Sequence, residues 1–244
     1  MIATRRAGER RHVRRLARQV WRTFATQDRV DPWADGFSAL ASLDEDQLDP
    51  GATLNRQPGD DTDILTYVHE GSLAHADEQG HAGVLQAGEF QRRTASRGVR
   101  HRETNPSLVD DAHVFRIALY RTDPRHLPVQ ETRRFSAAAR RGGLCLVASP
   151  DGRKGSLALD QDARVYSAML DPGQHVVHEL IATRGAWLHV IAGEVALGDV
   201  TLATGDGAAI TTERAVSITA RAATEILLFD LGDPSPLTST GALP

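Results

Sequence analysis

The chain has 244 residues, 41% of them hydrophobic, and 28 Lys plus Arg against 32 Asp plus Glu leave a net charge of −4. That is enough apolar material for one large β domain or two small ones, and no whole-molecule field draws the chain to nucleic acid or to a membrane surface. The single cysteine, Cys145, sits in the apolar run GLCLVAS, which reads as a buried strand; one thiol closes no internal disulfide, and this fits a reducing cytosol.

The first residues, MIATRRAGERRHVRR, carry a twin arginine without the apolar run that a signal peptide places after it. No run approaches the ~18 apolar residues of a membrane span. Helical spacing is confined to residues 12–22, where Val13, Leu16 and Val20 share a face, and a helix is expected there. Eight arginines and one acid in the first 22 residues read as the solvated face of that helix. The alternative is a patch for nucleic acid or an acidic partner, but no aromatic residues interleave to stack on bases.

From there on, short β-branched segments alternate with Gly or Asp turns, and most of the chain reads as strand. TYVHEG followed by VLQAGEF in the first half resembles HVIAGE followed by TLATGDG in the second. Two similar barrels in tandem are therefore expected. The polar, proline-containing stretch YRTDPRHLPVQETRRFSAAARRGG marks the join. The resulting division is an N-terminal barrel over 1–133, a C-terminal barrel over 134–233 and a flexible tail over 234–244. The Gly-acid turn after a strand is similar to the recurring corner of the cupin barrel, although the same rhythm occurs in unrelated sandwiches.

Four stretches, DPWADGFSAL, DILTYVHEGSLAHADEQG, AGEFQRRTASRGVRHRETNPS and DGAAITTERAVSITARAATEILLFDL, resemble in order the pirin family and its bacterial quercetinase-like members. The resemblance covers nearly the whole chain. It implies an all-β bicupin of two tandem cupin barrels (double-stranded β-helix or jelly-roll), with one iron or other divalent metal in the N-terminal barrel and no metal site in the C-terminal one. The family's ligands are a His-Pro-His at the mouth of one strand and a His-x-Glu on a later strand. Residues two apart on a strand share a face, so each pair delivers two ligands into the barrel. A mixed nitrogen and oxygen set with open positions suits non-haem iron, nickel, manganese or copper.

In this chain the second pair matches at His101 and Glu103, while the first falls on Gln57 and Gly59, with only Pro58 of the His-Pro-His remaining. Gln57 offers a weak neutral oxygen and Gly59 no side chain, so the implied site is degenerate. The resemblance puts His69, His75 and His81 at the turn end of a hairpin rather than in the cavity. HVVHE, residues 175–179, reads as a strand and not as the His-Glu-x-x-His helix of a metalloprotease.

A buried Glu103 without its metal needs a proton or a cation. Arg93 is expected to supply the charge in a bidentate pair with Glu103 or Asp61. Strand parity leaves open whether Arg92 or Arg93 points inward, and surface arginines are the competing reading. The expected function is that of a binding or regulatory protein, or a divergent enzyme of unknown substrate, with no metal cofactor and a small-molecule ligand as partner. The alternative is a dioxygenase of quercetin 2,3-dioxygenase type, with His101 and Glu103 holding iron or another divalent transition metal. A second alternative is a protein-interaction role like that of a transcriptional cofactor. If chemistry persists without metal, His101 is the candidate acid or base, with Glu103 two residues away. Neither membrane nor nucleic acid is an expected partner, and a monomer fits the sequence.

Overall fold

The computed structural model describes residues 1–24, 33–56, 62–78, 80–94, 100–121 and 129–232. The first half of the chain forms β1 (Ile2–Arg5), β2 (Arg11–Arg15), β3 (Arg18–Arg22), β4 (Leu40–Leu48), β5 (Thr53–Arg56) and β6 (Thr62–Glu70). These are followed by β7 (Ser72–Asp77), β8 (Ala82–Gln86), β9 (Glu89–Thr94), β10 (His101–Thr104), β11 (Ala112–Tyr120) and β12 (Gln130–Arg134). After a single helical turn, α1 (Ala137–Arg140), come β13 (Cys145–Ser149), β14 (Leu157–Ala158), β15 (Ala163–Leu170), β16 (His175–Glu179) and β17 (Gly185–Ala192). The chain closes with β18 (Glu194–Leu197), β19 (Val200–Ala203), β20 (Gly207–Ile210), β21 (Ala215–Ala220) and β22 (Thr224–Leu231).

A sheet in the order β12-β9-β6-β11-β4-β3-β2 faces a smaller one, β5-β10-β7-β8, and together they make the first barrel. The second repeats the plan, with β1-β20-β17-β22-β15-β13-β14 facing β16-β21-β18-β19. This is an all-β bicupin. The repeated sequence segments are its matching corners: Gly71 and Gly193 both have left-handed φ, +73° and +90°. A Cβ on either would lie 2.6 Å from Asp111 O or 2.2 Å from Ala223 O, so no other residue fits without the backbone moving.

Three apolar clusters hold the fold. One fills the second barrel with aliphatic side chains from both of its sheets, including Leu170, Leu188, Val195, Ile218 and Leu228. A smaller one, built on Leu48, Val68, Leu73, Leu85 and Val114, occupies only part of the first barrel. The third lies between the barrels, where Leu65, Tyr67, Phe90 and Phe115 of the first pack against Val147, Val165, Trp187 and Phe229 of the second.

Residues 12–22 are not helical: β2 and β3 form a hairpin in which Val13 pairs with Val20 and Arg15 with Arg18. Ala17 takes φ +59° in the two-residue turn, and Leu16, which the helical reading buried, stands fully exposed at its tip. Pairing of β3 with β4 overrides the weak local helical preference. Many of the arginines are consumed internally: Arg10 pairs with Glu45 at 2.6 Å, Arg6 with Asp206 at 2.8 Å and Arg18 with Asp46. Arg11, Arg14 and Arg15 stay exposed.

The first strand lies outside the barrel to which a 1–133 boundary assigns it. β1 pairs with β20 of the second barrel, Ile2 opposite Ile210 through Arg5 opposite Gly207. β20 is an apolar, fully buried strand, and β1 covers what would otherwise be its open edge. Residues 175–179 form a strand as expected, and Cys145 is half-buried rather than buried. The tail 234–244 lies outside the described residues.

Charges also tie the barrels together. The Arg140 guanidinium donates to Glu225 at 2.7 Å and to the Tyr67 hydroxyl at 2.7 Å, and Tyr67 donates in turn to Glu225. Burial would raise the Glu225 carboxyl, but hydrogen bonds from His69 and Tyr67 and the charge of Arg140 hold it below the usual range. Glu45 is likewise pushed up by burial and brought down to about 2 by His113 and Arg10. Beside them His189 is fully buried with both ring nitrogens unpartnered, and burial, then the charge of Arg10, lowers it to about 3.

Arg140→Met should lower unfolding free energy by about 3 kcal/mol, because it strips a buried carboxylate of its cation; urea unfolding followed by Trp187 fluorescence measures this. His189 gives a pH signature. Its imidazole stays neutral in the fold but titrates near 6.5 once unfolded, so its contribution is complete above pH 6.5 and is lost as pH falls toward 3. His189→Phe should flatten the stability profile between pH 6.5 and 4.5, where the chain otherwise loses up to roughly 1.4 kcal/mol per pH unit; thermal melts across that window test it.

Candidate functional site in the first barrel

β10 alternates buried, exposed, buried, so His101 and Glu103 face the barrel interior while Arg102 faces out. The strand sits between β5 and β7, with His101 opposite Arg56 and Asp77, and Glu103 opposite Leu54 and His75. Gln57, Pro58, Gly59 and Asp61 lie outside the described residues; β5 ends at Arg56, beside His101.

Glu103 does not stand alone. Arg116, reaching across from β11, donates from Nη2 to Glu103 Oε2 at 2.5 Å and from Nη1 to Asp46 on β4. Asp46 also accepts from Arg18 Nε at 2.6 Å. Arg93 enters the same interior, with Nη2 3.9 Å from Glu103 Oε1. Arg18, Asp46, Arg116, Glu103 and Arg93 thus form a row of alternating charge, with Asp46 and Glu103 0% and 3% exposed.

The arginine question is settled for both neighbours at once. Arg93 points into the barrel, while Arg92 points to the opposite face and pairs with Asp63 at 3.0 Å and Asp160 at 2.9 Å between the barrels. Arg93 approaches Glu103 at 3.9 Å, while Arg116 makes the close bond; Asp61, the other expected partner of Arg93, lies outside the described residues.

His75 is also corrected. It is buried inside the barrel next to Glu103 in register, and its Nε2 accepts from the Gln91 amide at 3.1 Å, which puts its own proton on Nδ1. His81 is exposed and pairs with Asp77, and His69 turns toward Glu225 at the barrel interface, 3.3 Å away. His101 is 4% exposed and, among the described residues, neither ring nitrogen has a hydrogen-bond partner. Burial, then the charge of Arg93, lowers its pKa to about 4, and the same two causes lower His75.

His101 borders a cavity of about 760 Å³ with Asn55, Asp77, Glu78, Arg100 and Arg102; four of these are exposed, so it opens at the outer side of the small sheet, and among the described residues Glu103, His75 and Arg116 do not line it. A neutral imidazole at its wall offers one donor and one acceptor to whatever enters. Among the described residues no three His, Cys, Asp or Glu side chains converge as a metal site.

Two family models divide the chain: one described as pirin matches residues 4–118, and one described as the quercetinase C-terminal cupin domain matches 146–231. Over 231 residues the chain is 39% identical to a quercetin 2,3-dioxygenase of Escherichia coli, covering 95% of this chain and 99% of that protein. The chain belongs to the pirin family. Among solved structures, the bacterial pirin YhhW of Escherichia coli in complex with nickel(II) superposes with a TM-score of 0.85 at 38% identity, over 96% of this chain and all of that one. A putative quercetin 2,3-dioxygenase of Pasteurella multocida is 34% identical over 86% of this pirin and 90% of its own length.

Arg116, Asp46, His75 and Gln91 are the interior groups that sequence reading passes over. The available signal was Arg116 itself, a lone charge in the apolar strand AHVFRIALY, which must find a buried partner. Because His101 is lowered to about 4, its ring should remain neutral from pH 8 down to pH 5. Nitrogen-detected histidine NMR should show it as a single neutral tautomer there, and a protonated ring above pH 5 would contradict this.

Proposed function

We propose that this pirin has left the family's metal chemistry and uses its first barrel as a metal-free pocket for a small molecule, as a binding or regulatory protein or a divergent enzyme. The observation that carries this reading is the bond of Arg116 to Glu103. Where the family resemblance implies a carboxylate ligand, the carboxylate already holds a cation at 2.5 Å. The other half of the ligand set, at Gln57 and Gly59, contributes no imidazole.

The fit to a divalent ion is poor on charge as well. A unit positive charge ~4 Å from a guanidinium is opposed by on the order of 4 kcal/mol at the effective dielectric of a partly buried site, and a divalent ion doubles this. Arg116 and Arg93 both stand at Glu103. Only His101, with two unpartnered nitrogens, suits a metal. No step through a metal is therefore derived. His101 instead binds or moves a proton at its ring nitrogens for a ligand in the cavity.

A second reading, quercetin 2,3-dioxygenase activity, is favoured by one feature here, the free imidazole of His101 at the cavity wall, and by the names of the relatives. It requires metal at a site with two of the implied ligands. Elemental mass spectrometry decides between them, on protein purified natively and again after incubation with ferrous iron, nickel, manganese or copper and desalting. The proposed reading expects metal far below one equivalent per chain under every condition. Near-stoichiometric metal that disappears in His101→Ala or Glu103→Ala would restore the dioxygenase reading.

A further inference from the structure

We infer that Arg116, braced by Asp46, is a resident cation that takes the place of a metal toward Glu103, so that this side chain, and not only the absence of two imidazoles, excludes metal from the barrel. The inference rests on the metal-free reading and adds to it a residue that holds the pocket in that state.

The geometry supports it in three ways. First, Arg116 crosses the barrel from β11 in the large sheet to Glu103 on β10 in the small one, so the carboxylate that the resemblance implies as a ligand is already engaged by a cation from the facing sheet. Second, its other nitrogen is committed to Asp46, fully buried on β4, and Asp46 is held in turn by Arg18. A guanidinium bonded at both ends cannot swing aside without weakening the charge balance at two buried carboxylates at once. Third, the rigid planar fork of arginine suits this double engagement, and lysine would satisfy only one end.

Sequence drift alone makes a different prediction. If the site had merely lost ligands, restoring them would restore the metal. If Arg116 occupies the cation position, restored imidazoles would still meet a carboxylate that is taken and a positive charge beside it.

The test uses the full chain in four forms: native, Gln57→His/Gly59→His, the same pair with Arg116→Met, and that triple variant with Glu103→Ala. Nickel binding is measured by calorimetry and by metal content after desalting. The expected result is weak, substoichiometric nickel in the two-histidine variant and tighter binding, by on the order of a hundredfold, once Arg116 is also replaced. Binding should be lost again with Glu103→Ala. Equal affinity with and without Arg116 would overturn the inference while leaving the metal-free reading of the native chain intact. Stoichiometric nickel in the native chain would overturn both.

Thermal stability supplies an independent readout should the triple variant fold poorly. Arg116→Met alone should lower Tm, and Arg116→Met/Glu103→Gln should recover most of the loss, since the buried negative charge at Glu103 is removed with the cation and Asp46 keeps Arg18. If Arg116 acted only by packing, the second substitution would recover nothing, and the inference would fail.

Discussion

A carboxylate buried to 3% exposure cannot remain ionised in a protein interior without a cation, and the first barrel is arranged around that requirement at Glu103. Arg116 meets it from the facing sheet, but a buried guanidinium makes the same demand in reverse, so Asp46 stands behind Arg116 and Arg18 behind Asp46. Charges of alternating sign therefore extend from the pocket to the β2–β3 hairpin. The arginine-rich start of the chain looks like a polyelectrolyte patch in sequence and serves in part as the outer end of this row.

The two barrels share corners and strand order but solve the problem of their interior differently. The second is filled largely by aliphatic side chains from both sheets, with buried charge gathered at one end where Asp230 pairs with Arg184 and His178. The first has an apolar floor at Leu48, Val68, Leu73 and Val114, above which the interior turns polar with His75, Gln91, Arg93, His101, Glu103 and Arg116. Buried ion pairs rarely stabilise a fold more than apolar packing would.

Much of this is legible in the sequence wherever a rule of local geometry applies. The doubled Gly corners are readable because left-handed φ and the absence of space leave no alternative to glycine at Gly71 and Gly193. The inward direction of His101 and Glu103 follows from two-residue spacing on a strand. What escapes is whatever depends on strands meeting across the barrel. Arg116 and Asp46 are far from Glu103 in the chain, and the parity of Arg92 and Arg93 is fixed only by the pairing of β9 with β6. The β2–β3 hairpin escapes for a related reason. Val13, Leu16 and Val20 satisfy a helical period by spacing alone, and only the open flank of β4 selects the extended form.

The position of His101 gives the pocket its chemical character. With Glu103 neutralised by Arg116, the interior offers the cavity no free carboxylate at that point, and the charge of Arg93 acts together with burial to keep His101 neutral. A metal-dependent barrel uses its ion to polarise a substrate; an imidazole held neutral can only exchange hydrogen bonds or a proton. The cavity of about 760 Å³ beside His101 is walled by Asn55, Asp77, Glu78, Arg100 and Arg102, groups of both signs.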